Sequence, residues 1–472
     1  MFLKKQQPAT KNYFFEKSFI DWKRGFRKVW STNVEISHKI LSFAQDSWDD
    51  DNHWLKIISV LAFISSLLTI TVGVLLIIPI FFVYLITICI CFFFVTCWGL
   101  LFWINERGYR TFRRISIICR KCNTRFKYPE YKCPDCGKLH SKLIPSNYGI
   151  ICRKCICGHK LPTTFRRRQK TLRQWAICPN CKTNIYTKEI TPISIATVGG
   201  PGSGKSCYIQ SAVKTFIDQI APKAGWSIHF LEKDDEDHFR KISKYFNDGI
   251  LPEKTINQRP QAFNFYVKSN HWSPEKLLYI FDPAGEIFHD ANNKQKYYEY
   301  LAGLVLIIDP MSIPKVRAKY LNNSSIDNED MLESPDRILD TLINTLRKYY
   351  KTISKIDIPL SIVINKMDLF DLEDIIGKRA VVSEKKANIK SDNSRIHQLC
   401  INFLIEAGYK NFVNNVKSYF SYYHFFSCSS LGYSSKNKNE SFRPFRVINP
   451  ISWILCQHDH DFVKGFKQLN KL

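Results

Sequence analysis

Two hydrophobic patterns divide this chain. Residues 57–105 contain no Asp, Glu, Lys or Arg, whereas beyond residue 190 the apolar residues fall into short runs set between longer amphipathic stretches. The first pattern predicts membrane-spanning helix and the second predicts buried strands alternating with helices. As one helix, the 49-residue uncharged run would extend about 70 Å, against a hydrocarbon core of about 30 Å. We therefore expect two passes, a transmembrane helical hairpin over 56–105 with helices at 57–76 and 80–103 and a tight turn near Gly73 to Pro79. Trp54, Trp98 and Trp103 suit the membrane interfaces. The basic flank Arg107, Arg110, Arg113 and Arg114 assigns the C-terminal side to the cytoplasm, and an even number of passes keeps the N-terminal segment 1–55 there too. In that segment Lys23, Arg24, Arg27 and Lys28 stand among Phe14, Phe15, Phe19, Trp22, Phe26 and Trp30, the composition of a helix lying on a membrane or packing on protein. The apolar run begins too late and is too long for a cleavable signal peptide.

Apolar runs at 193–198, 277–281, 303–308, 360–364 and 422–426 read as strands of a mostly parallel sheet in an α/β domain spanning 191–472. The polar stretch 313–356 is longer than an ordinary connection and is expected to be an inserted helical lid or partner surface. Residues 379–395 read as an exposed loop. Residues 448–456 are apolar but too short to cross a membrane, and should pack on the sheet.

Three strings in that domain carry chemistry. Gly199-Gly200-Pro201-Gly202-Ser203-Gly204-Lys205-Ser206, followed by Cys207, fits the phosphate-binding loop G-x-x-x-x-G-K-[ST] and follows a predicted strand. Its glycines let backbone N–H groups face an anion, Lys205 would reach the β- and γ-phosphates, and Ser206 is placed to ligate Mg²⁺. Asp282-Pro283-Ala284-Gly285 ends the second strand: Asp282 would hold the metal and the Gly285 N–H would report the γ-phosphate. Asn365-Lys366-Met367-Asp368 decides the base. Asp368 accepts from guanine N1–H and the exocyclic amine, a pair adenine lacks, while Asn365 meets the other edge and the Lys366 stem packs on the base face. These motifs resemble the translation-factor-related class of P-loop GTPases. Thr255 is the candidate switch threonine on Mg²⁺, and Ser427-Cys428-Ser429-Ser430 is the candidate last base-contacting loop. Glu286 follows Gly285 where many GTPases carry a water-orienting glutamine. An ionised carboxylate cannot donate that hydrogen bond, so slow intrinsic hydrolysis is expected.

Cysteine spacing defines a tandem zinc-ribbon region over 107–190. Cys119-x-x-Cys122 and Cys133-x-x-Cys136 are expected to share one tetrahedral Zn²⁺. Cys178-x-x-Cys181 takes its partners from Cys152, Cys155 and Cys157, either as Cys152 with Cys155 or as Cys155 with Cys157. The latter is favoured because Cys157-Gly158 matches the Cys136-Gly137 ending. Four thiolates with no open position make structural sites. The chain's formal net charge is +26, and 107–190 alone holds 21 Lys and Arg against 3 Asp and Glu. That surplus, with Arg166-Arg167-Arg168-Gln169-Lys170, permits nucleic-acid binding. Adjacent to a membrane it is better explained by anionic lipid head groups or protein contact.

Over 130–472 the series Cys133-Pro-Asp-Cys136-Gly, Tyr148-Gly149-Ile150, Cys155-x-Cys157-Gly, Leu161-Pro162-Thr163-Thr164, Cys178-Pro-Asn-Cys181 and the phosphate loop resembles bacterial double-GTPase proteins. The resemblance implies a GTPase of a multi-protein bacterial conflict or defence system with a second GTPase as partner, and it supports the Cys155/Cys157 choice. The expected protein is a multi-pass bacterial inner-membrane switch with cytoplasmic zinc and GTPase domains, with the lipid bilayer and a second GTPase or other system proteins as partners, or its own copies as a homo-oligomer. A zinc-ribbon sensor of nucleic acid or of a foreign component, and a dynamin-like membrane remodeller, are the rival readings.

Overall fold

The computed structural model describes residues 7–50, 52–119, 121–185, 189–250, 261–272, 275–282, 296–320, 333–350, 355–377, 379–380, 392–432 and 441–469. The chain divides into two compact units, Met1–Arg114 with Lys127–Lys188, and Ile115–Phe126 with Glu189–Leu472. The short hairpin bearing the first cysteine knuckle thus groups with the α/β domain rather than with the remainder of the cysteine-rich region.

In the first unit, α1 (Lys17–Trp48) and α2 (His53–Phe112) run antiparallel. Ser37 meets Ser66, the Trp22 indole donates to the Phe81 carbonyl at 2.8 Å, and Phe15 lies edge-on to Phe92. The buried positions Ser59, Ser66 and Gly73 of α2 recur every seven residues, as in a two-helix seam. A Cβ on Gly73 would sit 2.1 Å from Asn33 Nδ2, so only glycine admits that amide.

The expected hairpin within 56–105 is not formed. α2 is one helix of 60 residues that continues through Pro79. The physical reason lies in the backbone: a proline inside a helix costs about 3 kcal/mol, whereas a reversal creates two new helix ends whose N–H and C=O groups lack partners in apolar surroundings. No polar or turn-forming cluster exists between residues 57 and 105 to satisfy them. The inference of an even number of passes, which rested on that hairpin, loses its basis with it. Among the described residues one helix is long and apolar enough to cross a membrane, by length and composition.

The second unit is built on a seven-stranded sheet. Its strands are β1 (Thr191–Gly199), β2 (Trp226–Phe230), β3 (Gln261–Ser269), β4 (Lys276–Asp282), β5 (Gly303–Ile308), β6 (Leu360–Ile364) and β7 (Tyr423–Ser427), in the spatial order β7-β6-β5-β1-β4-β3-β2. The five strands read from sequence form the parallel part, and β2 and β3 add an antiparallel edge. Register sets Gly199 opposite Ile307, Ile308 opposite Ile364, and Ile364 opposite Ser427. Four adjacent strands therefore end at one level, where α/β sheets bind ligands.

Helices cover both faces. α3 (Lys205–Thr215) buries Tyr208, Ile209, Ala212 and Val213 on one side. On the other, α4 (Pro335–Tyr350) buries Ile338, Leu339, Leu342, Ile343 and Leu346 at helical spacing. That helix belongs to the domain core, so the inserted-lid expectation for 313–356 fails where the chain is described. The 448–456 segment packs on the sheet as α5 (Asn449–His458), burying Ile451, Ile454 and Leu455.

A Cβ on Gly303, at the start of β5, would lie 2.2 Å from Ile454 Cγ2. Gly303→Val is expected to overpack this contact and lower stability by about 1–3 kcal/mol, read as a lower urea midpoint with an unchanged slope.

Candidate functional site

The sheet's C-terminal edge gathers four loops. The first runs from β1 into α3, with Gly202 and Gly204 at φ 71° and 84°, a conformation that glycine adopts without Cβ strain. Gly204 is doubly constrained, since a Cβ there would lie 2.7 Å from Asn365 Nδ2. The Lys205 ammonium is buried and donates to the Gly199 and Gly200 carbonyls at 2.7 and 2.8 Å.

Asn365 follows β6 and is 1% exposed. Its Nδ2 donates to the Ser203 carbonyl at 3.3 Å, and its Oδ1 accepts from Ser430 Oγ at 2.8 Å and from the Cys428 thiol at 3.5 Å. Burial, reinforced by the nearby carboxylate of Asp368 and thiol of Cys400, raises the Cys428 pKa well above its ordinary value, so it stays a neutral donor. Lys366 occupies the left-handed region at φ 55°. Its Nζ donates to Asp309 Oδ2 at 2.6 Å and to the Gly202 carbonyl at 3.2 Å. Asp368 Oδ1 accepts from Ser429 Oγ, whose oxygen accepts in turn from Gly432 N–H. Two neighbouring loops therefore hold the side chains of the Asn365–Asp368 string in fixed directions.

The phosphate-loop residues Gly199, Gly200, Gly202, Ser203, Gly204 and Lys205 thus lie together with Asn365, Lys366, Asp368, Cys428 and Ser429. Ser206 and Cys207 begin α3 beside them. Ser427 differs, because its hydroxyl donates to the Ile376 carbonyl and closes β7 instead of facing the loops. Asp282 ends β4. Thr255, Gly285 and Glu286 lie outside the described residues. Sequence reasoning passed over Asp309 and gave Ser430 no role of its own. Asp309 follows an apolar strand just as Asp282 does, and that repetition was the available signal.

Residues 193–400 match the family model Double-GTPase 2. This domain is a double-GTPase-like P-loop GTPase. The chain is also similar to the Arl6 BBS3 small GTPase from Trypanosoma brucei with bound nucleotide analogue GppNp, at 12% identity and a TM-score of 0.26, over 57% of this chain and 98% of that one. A search of curated proteins returns no match. As a double-GTPase domain, the α/β unit is a GTP-binding nucleotide switch with the hydrolytic chemistry of its family.

Ahead of this GTPase, Cys133, Cys136, Cys155 and Cys157 bring their sulfurs within 4.8 Å of one another. The Cys133–Cys157 and Cys136–Cys155 sulfurs stand 3.6 and 3.5 Å apart. That is close to the separation of about 3.8 Å expected of thiolates about 2.3 Å from one tetrahedral zinc, and far beyond a disulfide bond of about 2.05 Å. The donors fit the metal. The Lys138 N–H lowers the Cys136 thiol to about 7, favouring the thiolate form, while burial pushes Cys155 up to about 12. His140 Nε2 lies 3.3 Å from Cys155 Sγ, placed to support that ligand.

Both zinc pairings expected from sequence are overturned here. Cys133 and Cys136 join Cys155 and Cys157, so neither pair is left for Cys119–Cys122 or Cys178–Cys181, and Cys152 is not in the group. All four knuckles turn through a residue in positive φ, and they differ in which residue stands there. Cys136 and Cys157 are each followed by a glycine in positive φ, Gly137 and Gly158. Cys122 and Cys181 are followed by Asn123 and Lys182, at φ 47° and 59°, and each sulfur then approaches the next threonine, Thr124 or Thr183. The two knuckles that end in glycine, Cys133–Cys136 and Cys155–Cys157, thus form one group of four thiols. The repeated Cys-Gly ending was the right signal, attached to the wrong partner.

Metal analysis of the intact chain should find two zinc ions, and Cys155→Ser should leave one. Asn365→Ala strands the Ser203 carbonyl and the Ser430 hydroxyl. It is expected to cost about 1–3 kcal/mol of stability, seen in the urea midpoint, and to weaken nucleotide binding measured by fluorescence titration.

Proposed function

We propose that the chain is a membrane-anchored guanine-nucleotide switch with slow intrinsic hydrolysis, working in a multi-protein bacterial system with a second GTPase or with its own copies. The observation that carries this reading is the Asn365 junction, where one buried amide ties the phosphate loop, the base-reading string and the 428–430 loop together.

Because both ends of the Asn365 amide are engaged within the protein, we assign base selection to Asp368. Ser429 orients that carboxylate, and guanine's N1–H and exocyclic amine supply the two donors it needs. The Lys366 ammonium is held by Asp309 and Gly202, which lays its alkyl stem beside the phosphate loop as a surface for the base. Lys205 and the loop N–H groups would hold the phosphates. Ser206, Thr255 and Asp282 would hold Mg²⁺, which when bound offsets phosphate charge. Gly285 would sense the γ-phosphate, and Glu286 in place of a neutral donor accounts for slow turnover.

Anchoring is assigned to α2, with the two zinc sites serving structure. The rival nucleic-acid reading is weakened by Arg168, which is 1% exposed and bound to Glu106 at 2.8 Å. The basic run at 166–170 is therefore not one continuous charged face.

Asp368→Asn should lower GTP affinity by about 100-fold or more and turn preference towards xanthine nucleotide, with ATP a poor competitor for the unaltered protein. Equal binding of ATP and GTP, or no gain for xanthine nucleotide, would remove the guanine assignment.

A further inference from the structure

Where the uncharged run of α2 ends, the first unit contains a cavity of about 700 Å³. One wall is apolar and open: Trp98 and Leu101, 58% and 61% exposed, stand there with Phe102. Arg166 and Arg167, both exposed, line it too. From Trp98 to Glu106 the helix rises about 12 Å, so the lining changes from hydrocarbon-like to charged within one head-group thickness.

The charges around this cavity are unequal in availability. Glu106, at its edge, accepts from the Phe165 N–H at 2.9 Å and from Arg168 at 2.8 Å, and lies 3.8 Å from Arg110. Its charge is already compensated by groups behind the wall. Neither Arg166 nor Arg167 has an acidic partner among the described residues. A ligand that fits must offer an anionic oxygen cluster to two guanidinium groups and an aliphatic chain to Trp98, Leu101 and Phe102. A soluble phosphate compound leaves the apolar wall wet, and a neutral lipid leaves both arginines unpaired.

We propose that this cavity binds one anionic glycerophospholipid, its phosphate on Arg166 and Arg167 and an acyl chain along Trp98, Leu101 and Phe102. The proposal rests on α2 spanning the membrane. The lipid then becomes part of the seat of the zinc ribbon that carries Arg166 and Arg167.

The full chain, placed in nanodiscs of phosphatidylcholine with phosphatidylglycerol and moved into detergent, would be weighed by native mass spectrometry. Unaltered protein is expected to retain phosphatidylglycerol with a preference of about 30-fold over phosphatidylcholine. The Arg166→Gln/Arg167→Gln variant should lose that preference while keeping its zinc and GTP binding. Trp98→Ser should reduce retention of both lipids. Undiminished preference in the arginine variant overturns the site. So does binding of glycerol phosphate alone as tight as that of the lipid, or displacement of the lipid by single-stranded RNA. Alkaline extraction tests the anchoring separately: release of the chain overturns the spanning reading and this site together, whereas a retained chain without lipid preference overturns the site alone.

Discussion

A buried amide must find partners for both its donor and its acceptor, and Asn365, itself following β6, finds them on the loops that follow β1 and β7. An unmet buried donor or acceptor costs about 1–3 kcal/mol. The phosphate loop, the Asn365–Asp368 string and the 428–430 loop therefore cannot drift apart independently. This in turn requires β1, β5, β6 and β7 to end level with one another, as their pairing sets them. The fully buried runs of β5 and β6 hold those strands in the core from beneath. Nucleotide specificity thus depends on sheet packing well below the loops that express it.

The parallel strands and the loops at their ends were legible from sequence because both signals are local. Short apolar runs mark buried strands, and glycine spacing marks a backbone that must fold around an anion. The antiparallel edge was passed over, although Trp226-Ser227-Ile228-His229-Phe230 alternates apolar and polar residues with the period of a half-buried strand, over five positions only. The ion pair of Asp309 with Lys366 joins residues 57 apart, a relation no local pattern carries.

Two misreadings share a cause. The transmembrane hairpin was inferred from length, by asking how an uncharged run could fit a bilayer, and the knuckle pairing was inferred from proximity along the chain. In each case the fold answers to hydrogen bonding instead. α2 stays unbroken because its backbone has no alternative partners, and it is α1 that doubles back along it. The two cysteine knuckles that end in glycine, Cys133–Cys136 and Cys155–Cys157, join across the chain.

Residues 7 and 9 are also committed to the ribbon. Gln7 bonds Ser141 in both directions and accepts from Arg153, while Ala9 pairs with Cys155, one of the metal-site sulfurs. The two ends of this contact are 146 residues apart. At a synthesis rate of about 5–20 residues per second, the start of the chain waits about 7–30 s for its partner to be made. α2 is itself made within that interval, so residues 7–9 can close only after both α2 and Cys155 have been synthesised. The fold of residues 7–9 is thereby tied to that of the cysteine group.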